Sequence, residues 1–106
     1  MTRFGQIGRL KRDCIDEYVR LHAEVWPEVI QTIYDCHIHN YSIFLEDDVV
    51  FAYFEYTGDD YAADCEKMAA DPVTQKWWAL TRPCFTKYSS DKAEAFYTDM
   101  RQIFFA

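Results

Sequence analysis

DCIDEYVRLHAEVWPEVIQTIYD, residues 13–35, is the stretch on which the fold turns. Ile15, Tyr18, Val19, His22, Trp26, Val29, Ile30 and Ile33 recur at three- and four-residue spacings, the period of one long amphipathic helix laid on a core. Asp13 is placed to cap that helix, and Asp16 and Glu17 lie where the positive end of the helix dipole favours carboxylates. Tyr18, His22 and Trp26 follow one another at i, i+4 and i+8 and rise along nearly one line. Pro27 falls inside the pattern. It cannot donate to the carbonyl of Ala23, so the spacing predicts a bend one turn beyond His22. Such a bend tilts a histidine, a phenol and an indole toward the same space.

The rest of the composition bounds what this space can serve. The chain of 106 residues has the size of one domain, residues 1–106, with 50% hydrophobic and 18% aromatic residues, enough for a core of its own. Eighteen acids against eleven bases give a net charge of −7. No basic stripe offsets that balance, which opposes a nucleic-acid partner. Cys14, Cys36, Cys65 and Cys84 show no C-x-x-C spacing, so no zinc knuckle or thioredoxin-type pair is indicated. MTRFGQIGRL has no apolar run of the signal-peptide kind, and the longest apolar stretch, Val49–Phe54, is far short of a membrane span. Reduced thiols in the cytoplasm, with no membrane partner, are the expectation.

Outward from the helix, RFGQIGRL (3–10) reads as a first strand. HIHNYSIFLE (37–46) and VVFAYFEY (49–56) read as a hairpin with Asp47-Asp48 at its tip. Asp59 is placed to cap a second helix through Ala70 whose buried face carries Tyr61, Cys65, Met68 and Ala69. Asp71-Pro72, an N-cap followed by an N1 proline, restarts a short helix bearing Gln75, Trp77, Trp78 and Leu80, and Pro83 ends it. Residues 84–99 read as a long loop with one turn of helix, and Met100–Phe105 as a last strand.

The order β-α-β-β-α-β predicts an α+β fold, a ferredoxin-like sandwich. In the third strand Val49, Phe51 and Tyr53 alternate with Val50, Ala52, Phe54 and Tyr56, so both faces are apolar. A second copy of the same sheet is the simplest cover, which predicts a homodimer through the sheet face.

Four groups of residues carry candidate chemistry. His22 has an imidazole that gives and takes a proton near neutrality; the alternative is a packed histidine bonded to Tyr18 or a carbonyl. His37 and His39 form H-x-H on one strand face, a spacing used by metal sites and also by ordinary edge strands, and no carboxylate or thiol ligand pairs with them. Tyr41 lies on that same face with Asn40 opposite, as packing or as an anchor for a polar ligand. Trp77 and Trp78 are about 100° apart on a helix, so one belongs to the core while the other lines a cleft, unless the pair is only a hydrophobic plug. These residues suit a cofactor-free enzyme or a small-molecule binding module.

On these residues the chain resembles the L-rhamnose mutarotase family. The matching pieces are E-Y-x-x-x-H at Glu17–His22, W-P-E at Trp26–Glu28, H-N-Y-x-I-F-L at His39–Leu45, F-A-Y-x-E at Phe51–Glu55 and D-x-x-x-Q-x-W-W at Asp71–Trp78. The resemblance implies a dimeric α/β barrel that interconverts the anomers of a 6-deoxy hexose without cofactor or metal. His22 matches the proton donor, and Tyr18, Tyr41, Trp77 and Trp78 match the sugar contacts. The chain departs from the family in ending R-Q-I-F-F-A, where members finish with an E-V-F-H-like segment, and Arg82–Thr98 keeps the pattern least.

Among related sugars, L-fucose is the nearest substitute for L-rhamnose as substrate. In the implied reaction an acid protonates the ring oxygen while a base, be it a tyrosine, a water or a carboxylate, takes the anomeric proton. A cofactor-free monooxygenase, a haem-handling protein and a non-catalytic sugar sensor are the rival readings, since small α/β barrels host several chemistries.

Overall fold

The computed structural model describes residues 1–89 and 96–106 of the chain. Thr2–Leu10 forms β1 and, after a 3₁₀ turn at Arg12–Cys14, Ile15–Ala23 forms α1. The expected single bent helix is two helices. The residue before a proline is disfavoured in the α region, and Trp26 accordingly sits extended at φ −62°, ψ 135°. Pro27 becomes the first residue of a new helix, α2 (Pro27–Asp35), instead of a kink in the old one. The apolar stripe is therefore rephased: Tyr18, Leu21 and Val29 are buried, whereas Val19 and Ile30 are exposed. Asp13 lies within the 3₁₀ turn, and Cys14 holds the cap position of α1 without a side-chain bond.

The hairpin β2 (Ile38–Glu46) and β3 (Val49–Tyr56) turns at Asp47, whose φ of 55° suits the tight connection. α3 spans Tyr61–Ala70 and is capped by Asp60 rather than Asp59, Asp60 accepting from the Ala63 N–H. Only Tyr61 and Met68 of its expected buried face pack on the core; Cys65 and Ala69 are exposed. At the next junction Asp71 accepts from both the N–H and the hydroxyl of Thr74 at 2.8 Å, which starts α4 (Pro72–Thr81) as expected.

A 3₁₀ turn at Arg82–Cys84 leads into β4 (Phe85–Thr86). The expected 84–99 loop thus begins with a strand, and its residues 90–95 lie outside the described residues. The last strand, β5, is Thr98–Met100 rather than Met100–Phe105, and residues 101–106 are exposed.

All the pairings are antiparallel, in the order β2-β3-β1-β4, with β5 pairing Gly5–Ile7 of β1 along the edge that β4 occupies at Arg9 and Leu10. That order is consistent with a ferredoxin-like α+β sheet, here curled. Val50, Ala52, Phe54 and Tyr56 face the helices and are buried. Leu10, Tyr18, Val50, Cys84 and Phe85 form one cluster; Leu21, Val29 and Trp77 a second; Ile38, Phe54 and Tyr56 a third with Phe4, Tyr61 and Met68. Phe44 and Phe51 stand exposed on the opposite face, their rings 6.3 Å apart. The four cysteines are unpaired, and among the described residues no helix is long and apolar enough to cross a membrane.

Gly8 lets Phe85 approach the sheet. A Cβ there would stand 2.9 Å from the Phe85 ring and 3.3 Å from the Phe96 carbonyl oxygen, and the backbone oxygen cannot give way cheaply. Gly8→Ala is expected to cost about 1–3 kcal/mol in urea unfolding. An unchanged midpoint would mean that Phe85 is not held by this contact.

Candidate active site

His22 lies on α1 one residue before the helix stops, half-buried between two rings. The Tyr18 phenol is tilted over it at 4.3 Å between centroids, and the Trp77 indole meets it edge-on at 5.4 Å. Its Nδ1 lies 2.8 Å from the Tyr18 carbonyl oxygen. A carbonyl only accepts, so Nδ1 carries the hydrogen and the second nitrogen, Nε2, presents a lone pair. Among the described residues nothing bonds to Nε2. Burial pulls the imidazole below its ordinary value of 6.5, against a smaller upward effect of the carbonyl bond. Its resting form at neutrality is the uncharged base.

Tyr18 is 4% exposed and its hydroxyl lies 3.0 Å from that of Tyr97. Phe85 holds both rings edge-on, at 5.4 Å and 5.2 Å. Burial drives the Tyr18 and Tyr97 hydroxyls well above the ordinary phenol range. The Tyr41 hydroxyl is driven up as well, by desolvation of its oxygen first and by the neighbouring Tyr97 second, although the side chain as a whole is 38% exposed.

Tyr41 reaches this side of the sheet through an irregularity in β2. The register shifts between His39, paired with Glu55, and Ser42, paired with Tyr53, so Asn40 and Tyr41 together oppose Phe54. Asn40 takes φ 52°, which asparagine tolerates, and its amide donates to Glu55 at 2.9 Å. The extra residue inverts the alternation, and the Tyr41 ring packs 5.5 Å from Phe54 on the helix side. His39 and Tyr41 therefore do not share a face. His37 precedes the strand at φ 64°, where its Nδ1 meets the Asp64 carboxylate at 3.1 Å, so H-x-H is not a pair of neighbours either. Hydrogen bonds from Tyr56 and from His37 hold Asp64 below the usual carboxylate range.

The two indoles divide as their angular separation requires. Trp77 is 6% exposed, wedged between His22 and Trp26. Trp78 is half-buried, with the Arg82 guanidinium 3.9 Å over its ring. It lines a hollow of about 470 Å³ with Lys11, Arg82, Phe85 and Phe96, while a second of about 330 Å³ is bounded by Leu21, Trp26 and Trp77. His22 lines neither hollow, although Trp77, against its ring, borders the second. Tyr97 and Phe85 escaped the sequence reading because they fall in an unpatterned run; their only signal there is aromatic content.

With this geometry in view, comparison with known proteins is decisive. The family model described as L-rhamnose mutarotase matches residues 3–106. The chain belongs to the L-rhamnose mutarotase family. It is 34% identical over 106 residues to the L-rhamnose mutarotase of Oceanobacillus iheyensis, covering 98% of this chain and 97% of that relative. It is 32% identical to that of Bacillus subtilis, covering 93% and 100%. The solved L-rhamnose mutarotase of Formosa agariphila superposes with a TM-score of 0.76 at 20% identity, over 100% of this chain and 99% of that one. Tetracenomycin F2 cyclase from Streptomyces glaucescens superposes at 0.69 and 15% identity over the same shares. The last two likenesses concern the fold.

In this mutarotase-family chain the charged imidazole is disfavoured by folding. Its contribution to stability is present above the unfolded value of 6.5 and fades as pH falls through the lower folded value. The NMR titration of His22 is expected to have its midpoint below 6.5. A midpoint above that value would mean that an anion, not burial, governs the ring.

Proposed function

We propose that this chain interconverts the α and β anomers of L-rhamnopyranose or a closely related 6-deoxy hexose, with His22 as the proton-transfer group. The observation that carries this reading is the fixed tautomer: Nδ1–H is committed to the Tyr18 carbonyl, so Nε2 is the working atom. Opening a hemiacetal ring moves one proton from the anomeric oxygen to the ring oxygen, and both oxygens are bonded to the same carbon. Neutral Nε2 takes the anomeric proton, the C1–ring-oxygen bond breaks, and the imidazolium so formed returns the proton to the ring oxygen. Rotation about C1–C2 and the reverse steps close the other anomer. His22 then serves as base and acid in turn, and no separate base is required.

Tyr18 and Tyr41 are suited to bind sugar hydroxyls as neutral donors. Trp78 offers an apolar face to the ring and methyl group, with Trp77 backing the imidazole. L-fucose stays the nearest alternative substrate. Replacing His22 by Ala is expected to reduce anomer exchange, read by NMR saturation transfer, by about 10²–10⁴-fold. The wild-type rate should fall as pH drops through the His22 titration below 6.5 and level off above it. A rate that falls instead with rising pH would show that the imidazolium is the resting form.

The reading extends to a homodimer closing an α/β barrel. Phe44 is 61% exposed and Phe51 37% on the sheet face away from the helices, beside the half-buried Ile7, Val49 and Tyr53. Ile103, Phe104 and Phe105 are exposed as well, and the Arg3 guanidinium on that same face lies 3.8 Å over the Phe105 ring. So much contiguous apolar surface favours a second copy packing sheet on sheet. Phe44→Asp is expected to halve the mass found by light scattering. A monomeric wild type would remove the barrel from the proposal.

A further inference from the structure

We propose that Tyr97 is a positioning residue of the sugar site: through the 3.0 Å contact of its hydroxyl with that of Tyr18, it sets where the pair's remaining phenolic proton points. The inference rests on the mutarotase reading above and adds a residue that the family motifs do not include. Two hydroxyls at this distance share one hydrogen, so of their two protons one is consumed between them and one is left to give. With Tyr97 as donor, the Tyr18 proton is free to turn toward the space beside His22, whose ring is 4.3 Å from the Tyr18 ring. With Tyr18 as donor, the free proton sits on Tyr97. Either way the pair presents one donor and spare acceptor lone pairs.

The pair is also held in place. Phe85 meets both rings edge-on, and Gly8 admits Phe85 against the sheet. Tyr97 is followed directly by β5, where Thr98 pairs with Ile7, so its backbone is tied to the sheet. Because burial keeps both phenols protonated, the pair donates and does not act as a base. Tyr97 lies in the run Arg82–Thr98, outside the motif blocks that carry the resemblance.

Tyr97→Phe keeps the ring against Phe85 and removes only the hydroxyl. It is expected to lower kcat/KM for anomer exchange about ten-fold, the worth of one good hydrogen bond to the sugar. Tyr18→Phe should give a similar drop, and the doubly substituted protein little more than either alone, since both changes dismantle one unit. Across singly deoxygenated sugars, the Tyr97→Phe deficit should vanish for the analogue lacking the hydroxyl that the pair holds. A purely structural role would lower the melting temperature and leave an equal deficit on every analogue, which overturns the proposal, as do unchanged kinetics or strictly additive losses. Wild-type protein without any exchange would overturn the mutarotase reading and this inference together; an active wild type with an unaffected Tyr97→Phe overturns the inference alone.

Discussion

The ring of Pro27 disfavours an α-helical conformation at Trp26, and the organisation around His22 follows from the extended backbone that Trp26 adopts instead. α1 ends at Ala23, so the imidazole stands in the last turn of a helix while its Nδ1 still finds the carbonyl of Tyr18 one turn back. The chain then leaves the helix axis for Trp26, whose indole swings against Trp77 and closes the far side of the histidine's wall. A continuous helix would have carried Trp26 along the same surface line as Tyr18 and His22. The break replaces a single stripe by rings on two sides of the imidazole, Tyr18 on one and Trp77 backed by Trp26 on the other.

The set of groups around the imidazole is uncharged, although the molecule is strongly acidic and the Arg82 guanidinium stands over the nearby Trp78. Its titratable members are phenols driven upward by burial and an imidazole driven downward, so at neutral pH all of them are neutral. The ion pairs sit elsewhere, Arg9 with Asp48 and Arg12 with Asp47 at the hairpin end of the sheet. This separation suits a neutral substrate. A sugar offers hydroxyls, which need directed donors and acceptors more than they need charge, and a desolvated setting strengthens each of those hydrogen bonds.

Two solved proteins of the same fold carry a mutarotase's name and a polyketide cyclase's name. A helix-covered curled sheet is evidently compatible with both, so the fold alone carries no reaction. What separates them must lie in the side chains between helices and sheet. Here these are one imidazole with a fixed tautomer, a pair of joined hydroxyls, and an indole half covered by a guanidinium.

The first strand, the hairpin, the Asp71-Pro72 restart and the unequal burial of the two tryptophans were legible in the sequence, because local periodicity, capping and proline chemistry act within a few residues. The family was legible for a similar reason, its motifs being short blocks kept in order along the chain. The bulge at Asn40 was not legible. Whether an asparagine enters the left-handed region depends on what its neighbouring strand pairs with, and that single choice moved Tyr41 to the helix side and parted it from His39. Tyr97 was hidden likewise. Its place beside Tyr18 is set by β5 pairing with a strand some ninety residues earlier (Ile7 with Thr98), a contact with no trace in local pattern. Sequence by itself determined which residue types were at hand; long-range pairing decided which of them meet, because side-chain direction in a sheet follows from register.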